Sequence, residues 1–102
     1  MIDIREQNAE YYLQKLRQFK LHYSLEYGIE RIGIFGSIAR GEQMEDSDID
    51  IYYEGKSLGL KSLVDFPMQL EKFLGVHVDL VRKHSNLRPS FLKRIMSDII
   101  YA

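Results

Sequence analysis

The chain has 102 residues, with 14 basic and 15 acidic side chains and a formal net charge of −1 at pH 7. At this length we expect one domain over residues 1–102, with a single modest core. The near-neutral charge argues against a protein that binds long nucleic acid through its phosphates. The sequence contains no cysteine, which excludes a disulfide framework and any thiolate metal site.

Targeting signals are not visible in the sequence. No apolar stretch approaches the roughly 20 residues that a membrane span requires. Met1 leads directly into a mixed polar and apolar segment, without the basic region and apolar run of a secretory signal. We therefore expect a cytoplasmic protein that has no membrane partner.

The first half of the chain contains one predicted helix and two predicted strands. Apolar residues recur at helical spacing over about 7–27, and Gly28 supplies a stop signal. A run of β-branched and aromatic residues predicts a strand over about 31–35. A second strand is predicted over about 49–53, ending before Gly55.

A second helix and a third strand follow. Apolar residues at helical intervals predict a helix over 58–74, and Gly75 would close it. Pro67 lies inside this segment, so we expect either a kink or a new helix start near Phe66. A third strand is predicted over about 76–81.

The remaining segments complete an alternating pattern. Residues 82–86 are predicted to form a loop, with Pro89 in the first turn of a short helix over 90–96. The tail over 99–101 is compatible with a last edge strand. Strands that alternate with helices favour an α/β sheet covered by helices.

The first predicted strand ends at Gly36-Ser37, where we expect a turn into a short helix closed by Gly41. A glycine at such a turn lets backbone N–H groups approach a ligand closely. The Ser37 hydroxyl could cap the helix or donate to a phosphate oxygen. This segment is therefore a candidate phosphate site.

Two carboxylates flank Ile49 at the start of the second predicted strand. Asp48 and Asp50 are two residues apart and would project from the same face of the strand. Like charges at this separation repel each other, and a metal cation commonly holds both in the ionised form. Hard oxygen ligands suit Mg²⁺ or Mn²⁺.

The two motifs read Gly36-Ser37-Ile38-Ala39-Arg40-Gly41-Glu42 and Ser47-Asp48-Ile49-Asp50-Ile51. Together they resemble the minimal nucleotidyltransferases of the DNA polymerase-β-like nucleotidyltransferase superfamily, which are often paired with a HEPN-domain protein in toxin–antitoxin modules. The resemblance runs from about residue 32 to the C-terminus. It implies an α/β (α+β) fold with a small mixed sheet of three to four strands packed with helices. It also implies that the third carboxylate is Asp79, in the apolar run 76–81, and that the second and third predicted strands are neighbours.

The resemblance implies a magnesium-dependent enzyme that uses ATP. Asp48 and Asp50 would bridge two Mg²⁺ ions, with Mn²⁺ as an alternative. Asp79 would complete the ion that activates the acceptor and is a candidate to accept its proton. Gly36 and Ser37 would hold the β- and γ-phosphates. Asp48, Asp50 and Asp79 are thus the expected catalytic residues and metal ligands.

The chain ends about twenty residues after Asp79, so we expect its acceptor site to come from another protein. Our hypothesis is an antitoxin that transfers AMP from ATP to a HEPN toxin, with tyrosine as the expected acceptor. A homo-oligomer and a hetero-oligomer with the toxin are both compatible with the sequence. Two alternatives remain open. One is a non-catalytic antitoxin that occludes its partner, and the other is a nucleotidyltransferase subunit for a small-molecule acceptor.

Several polar residues have simpler interpretations. Arg40 and Glu42 are expected to form a structural ion pair, and His77 is expected at the surface. A basic group is expected to form a solvated face, with partner docking or triphosphate steering as the alternative; its members are Arg82, Lys83, His84, Arg88, Lys93 and Arg94. Glu45 and Asp46 are expected to belong to a solvated acidic loop.

Overall fold

The computed structural model describes residues 9–42 and 48–102. Its elements are α1 (Ala9–Tyr27), β1 (Ile29–Phe35), β2 (Ile49–Gly55), α2 (Leu60–Leu74), β3 (Val78–Arg82), α3 (Pro89–Asp98) and β4 (Ile100–Tyr101). The start predicted for the first helix, and Glu45 and Asp46 of the predicted acidic loop, lie outside the described residues. In the described part of the chain, no helix is long and apolar enough to cross a membrane.

The four strands form one mixed sheet in the order β3-β2-β1-β4. β2 pairs with β3 in parallel, whereas β1 pairs antiparallel with both β2 and β4. The expectation of a small mixed sheet is therefore confirmed, and so is the adjacency of the second and third strands. The last strand is an edge strand, as predicted, but has two residues and begins at Ile100.

Helices cover both faces of the sheet. α1 and α2 cover one face, where Ile32, Ile51 and Phe66 are fully buried. α3 covers the other face through Ile95, which packs with Phe35 and Tyr52. Because alternate residues of a strand point to opposite faces, Ile49 and Ile51 enter the first core while Asp50 lies on the α3 side.

Gly33 allows β4 to approach β1 closely. A Cβ atom at this position would lie 2.6 Å from the backbone oxygen of Ile100. The pairing extends past β4, because the Ala102 N–H donates to the Ile32 carbonyl over 2.8 Å. A residue without a side chain at position 33 is therefore required for β4 to follow directly after α3.

The structure corrects one prediction, the short helix after Gly36, and excludes one of the two alternatives for Pro67, the new helix start. The segment after Gly36 forms a single irregular turn instead of the expected short helix, although Gly41 has the predicted positive φ of 75°. α2 continues through Pro67 with no new start at Phe66. Proline removes the N–H that would bond to the carbonyl of Leu63, and that residue is half-exposed, on the side of the helix open to water.

Candidate active site

The candidate site lies where the end of β1 meets the beginnings of β2 and β3. Asp50 of β2 is the register partner of Phe35 on β1 and of Asp79 on β3. The parallel pairing of β2 and β3 brings both strand starts to the same edge of the sheet. The structure therefore brings together Asp50, Asp79 and the residues that follow Phe35.

Gly36 packs directly against the carboxylate of Asp50. Its φ is 80°, in the left-handed region that favours glycine. A Cβ atom on Gly36 would overlap Asp50 Oδ2. This contact explains why the turn begins with glycine.

The turn after Gly36 is closed by its own backbone hydrogen bonds. The Arg40 N–H donates to the Gly36 carbonyl over 3.2 Å, and the Glu42 N–H donates to the Ser37 carbonyl over 2.8 Å. Ile38 is buried in the core that α1 and α2 cover, which anchors the turn to the sheet. The Ser37 side chain is left at the pocket described below.

Arg40 connects this turn to the end of α3. Its Nε atom donates to Glu42 Oε2 over 3.1 Å, and an Nη atom donates to Asp98 Oδ2 over 2.7 Å. The hydrogen bond to Asp98, followed by the one to Glu42, raises the pKa of Arg40 above its ordinary value. The expected Arg40–Glu42 pair is confirmed, and Asp98 is a partner that the sequence did not reveal.

These residues surround a pocket of about 300 Å³. Its lining consists of Phe35, Gly36, Ser37, Arg40, Asp50, Asp79, Val81, Phe91, Arg94, Ile95 and Asp98. Four of the five predicted site residues thus line one pocket. The sequence did not predict that α3 would line the pocket. Among the α3 residues of the lining, only Arg94 has a role in the alternative interpretation of the sequence, that of steering the triphosphate. The spacing of Phe91, Arg94 and Asp98 at helical intervals was the available signal.

Asp50 is the carboxylate whose protonation the site perturbs. Burial raises its pKa above the ordinary value, and the nearby charges of Asp79 and Asp48 raise it further. The positive charge of Arg40 opposes this shift in part. An ionised Asp50 is therefore held in a partly buried, electronegative position, which a bound cation would stabilise.

Two carboxylates of the pocket form a donor set for a divalent cation. Asp50 and Asp79 offer hard oxygen ligands and mutual repulsion that a cation relieves, so both fit Mg²⁺ or Mn²⁺. Asp48 is exposed and does not line the pocket. Within residues 9–42 and 48–102, no three His, Cys, Asp or Glu side chains are grouped closely enough to hold a metal ion. The role predicted for Asp48 stays a prediction.

Comparison with known proteins gives a consistent family match. Residues 13–102 match the model of the nucleotidyltransferase domain. A candidate protein adenylyltransferase of Methanocaldococcus jannaschii is 43% identical over 89 residues, which cover 84% of this chain and 89% of the relative. The protein adenylyltransferase MntA of Thermococcus cleftensis is 38% identical over 76 residues, which cover 74% of this chain and 76% of MntA.

Solved structures share the fold. A candidate minimal nucleotidyltransferase superposes with a TM-score of 0.73 at 32% identity, covering 91% of this chain and 94% of that one. A chain from the complex of tri-AMPylated Shewanella oneidensis HEPN toxin with MNT antitoxin superposes with a TM-score of 0.57. That chain is 19% identical, and the match covers 96% of this chain and 71% of that one.

Proposed function

The chain belongs to the nucleotidyltransferase domain family, and on this premise we propose that it transfers AMP from ATP to a hydroxyl group of a HEPN toxin and so acts as an antitoxin. A tyrosine is the acceptor that we expect. The observation that carries the proposal is the register pairing of Asp50 with Asp79 beside the Gly36 turn. Relatives named as protein adenylyltransferases support AMP as the transferred group.

The proposed reaction is a displacement at the α-phosphorus of ATP. The acceptor oxygen forms a bond to this phosphorus. The bond between the phosphorus and the oxygen that bridges the α- and β-phosphates breaks, and pyrophosphate leaves. Asp79 is at the exposed side of the pocket and is our candidate to receive the acceptor proton. Catalysis of this kind depends mainly on positioning and on charge stabilisation.

The triphosphate is assigned to the Gly36–Ser37 turn and the α3 side of the pocket. Backbone donors of a glycine turn and the Ser37 hydroxyl suit the β- and γ-phosphates. Arg94 lines the same pocket and brings a positive charge toward them. Arg40 is already paired with Glu42 and Asp98, so its proposed role is to hold the turn against α3.

The proposed cofactor is Mg²⁺, as two ions, with Mn²⁺ as an alternative. When bound, these ions would neutralise the triphosphate and activate the acceptor oxygen. Asp48, Asp50 and Asp79 would hold these ions. The raised pKa of Asp50 supports this assignment, because a cation would favour its ionised form.

The test is transfer to the partner itself. We would incubate the protein with ATP, Mg²⁺ and a HEPN protein encoded beside it, and measure the intact mass of that protein. We expect one or more added adenylate groups, and none with Asp48→Ala. Asp65→Ala, on α2 at the other face of the sheet, is the matched control and should retain transfer. Unmodified toxin under several metal conditions would contradict the proposal. The proposed location of the reaction is the cytoplasm.

Occlusion of the partner without chemistry is the second candidate. It is favoured by the position of Asp48, which lies outside the pocket that Asp50 and Asp79 line. Calorimetric titration with ATP and Mg²⁺ separates the two functions. Binding that weakens in Asp50→Asn and Asp79→Asn variants supports the enzyme, whereas no binding combined with tight toxin association supports occlusion.

A further inference from the structure

Another pocket lies on the face of the sheet that α1 and α2 cover, opposite the candidate active site. Its volume is about 270 Å³. Small-molecule sites usually measure about 300–1,000 Å³, so this pocket is near the lower end of that range. Its lining consists of Tyr53, Leu58, Leu63, Phe66, Pro67, Leu80 and Arg82. Five of these seven side chains are apolar, so the polar groups of the pocket belong to Tyr53 and Arg82.

Tyr53 of β2 brings an unpaired hydroxyl group to this pocket. Its ring packs against that of Phe66 at 4.8 Å between centroids, and only 3% of the residue is exposed. The hydroxyl has no hydrogen-bond partner in the part of the chain that the structure describes. It is not fully enclosed, because Arg82 Nε is the only enclosed side-chain nitrogen or oxygen without a partner among the described residues. An acceptor inside the pocket would therefore gain a hydrogen bond from Tyr53.

Arg82 of β3 supplies a positive charge that is only partly used by the fold. Its Nη2 atom donates to the Gly55 carbonyl over 3.5 Å and to Ser57 Oγ over 3.2 Å. Nε is enclosed, so a ligand does not reach it. Nη1 has no hydrogen-bond partner within residues 9–42 and 48–102, and it is not enclosed. The Nη1 donors of Arg82 are therefore available to a ligand.

The two donor groups act on one another electrostatically. Burial raises the pKa of the Tyr53 hydroxyl above its ordinary value, and the positive charge of Arg82 opposes this rise. The hydroxyl is therefore protonated at neutral pH and donates. The described lining contains no carboxylate, so no negative charge inside the pocket compensates Arg82. A cation and a neutral donor beside an apolar wall are complementary to a carboxylate that is attached to an apolar chain.

We propose that this pocket binds a small aliphatic carboxylic acid. Its carboxylate would accept hydrogen bonds from the Tyr53 hydroxyl and from Arg82 Nη1. Its hydrocarbon chain would lie against Leu63, Pro67 and Leu80 and remove apolar surface from water. The volume of the pocket suits a small ligand. The site lies on the other face of the sheet from the AMP-transfer pocket, so binding there goes beyond the proposed function.

Titration of the full chain with octanoate tests this site. Methyl resonances of Leu63 and Leu80, which line the pocket, report its occupation in NMR spectra. 1-Octanol carries the same chain without the charge. We expect octanoate to bind at least about tenfold more tightly than octanol, because hydrogen bonds to an ionised group are the stronger ones. Octylamine should bind more weakly than octanol, since its charge has the same sign as that of Arg82.

Tyr53→Phe should weaken octanoate binding about threefold to tenfold, because one hydrogen bond is lost. The melting temperature should not fall, since the hydroxyl has no partner among the described residues. Tyr23→Phe, on α1 and outside the pocket, is the matched control and should bind octanoate like the wild type. Arg82→Gln should remove most of the preference for octanoate over octanol.

Three results would overturn the inference. They are methyl resonances that do not shift with octanoate, equal affinities for octanoate and octanol, and unchanged octanoate affinity in Tyr53→Phe. Tighter binding of N-acetyl-dileucine than of octanoate would also overturn it, because the pocket would then suit the end of a polypeptide. Every titration is made without ATP or toxin, so its result is distinguishable from a failure of the proposed function.

Discussion

Asp50 on β2 and Asp79 on β3 are register partners in the parallel part of the sheet, and the charge of Asp79 raises the pKa of Asp50. The two side chains lie on the same face and line the same pocket. Such a pair is unfavourable for the folded chain by itself, since like charges repel. A bound cation would make the pair favourable. Four predictions test this site.

Asp79→Ala is expected to abolish AMP transfer without lowering the melting temperature. Asp79 is exposed, so its removal creates no cavity, and it relieves repulsion on Asp50. We expect the transfer rate to fall at least ~100-fold, as commonly occurs when a proton-accepting group is lost. Intact-mass assays and thermal melts on the same samples measure both effects. Loss of transfer together with a much lower melting temperature would indicate a structural role instead.

Asp50→Asn is expected to stabilise the chain near neutral pH in the absence of metal. The folded-state pKa of Asp50 is raised above 3.8, mainly by burial. The protonated form therefore stabilises the fold fully below pH 3.8, and this contribution is lost as the pH rises through the folded-state pKa. The free energy of unfolding of the variant should exceed that of the wild type at pH 7, and the difference should disappear toward pH 3.8.

Urea unfolding at several pH values, with EDTA present, measures this difference. Asp65→Asn, on the opposite face of the sheet, controls for the general loss of one carboxylate. A difference between Asp50→Asn and the wild type that stays constant from acid to neutral pH would contradict the assignment. Added Mg²⁺ should raise the melting temperature of the wild type more than that of Asp50→Asn.

Gly36→Ala is expected to lower both stability and ATP affinity. Alanine at a φ of 80° is strained, and its Cβ would overlap the Asp50 carboxylate. The backbone strain alone lowers the free energy of unfolding by about 1–3 kcal/mol. Gly59→Ala is a matched control, because Gly59 has a φ of −68° and a Cβ there would have no neighbour within 4 Å. If both variants unfold at the same urea concentration, the Gly36 contact is not required.

Asp98→Asn is expected to weaken ATP binding while leaving the fold intact. The negative charge that Arg40 contacts over 2.7 Å on α3 is removed, so the turn and the α3 wall are held together less strongly. Both side chains are partly exposed, so the effect on unfolding should be small. We expect KM for ATP to rise a few-fold with little change in kcat, and Asp98→Glu to recover part of the loss. A fall in kcat at unchanged KM would place Asp98 in the chemistry itself.

The strands that carry Asp50 and Asp79, and the face of each strand on which the carboxylate lies, could be predicted because their signals are local. Alternation within 49–53 and 76–81 determines which side chains enter the core. The family resemblance then implied that the strands are neighbours. The turn after Gly36 was predicted as a helix because its composition allows one. The buried side chain of Ile38 and the position of Gly41 limit it to a single turn.

The α3 side of the pocket could not be predicted in the same way. Its placement depends on the pairing of β1 with β4, two strands separated by most of the chain. The hydrogen bond between Arg40 and Asp98 also joins residues that are far apart in the sequence, and no periodic pattern in the sequence indicates it. Helical spacing could have grouped Phe91, Arg94 and Asp98, but it could not indicate which face of the sheet they would cover.

The close approach at Gly33 also constrains when the pocket can form during synthesis. Gly33 and Tyr101 are register partners, and β4 follows α3 after one residue. The turn at Gly36 leaves the ribosome long before α3, so a nascent chain exposes the half of the pocket proposed to bind phosphate without the wall that carries Arg94. Local helices can form early, whereas this long-range pairing must wait. The protein is therefore expected to be unable to bind ATP productively until residue 101 has emerged from the ribosome.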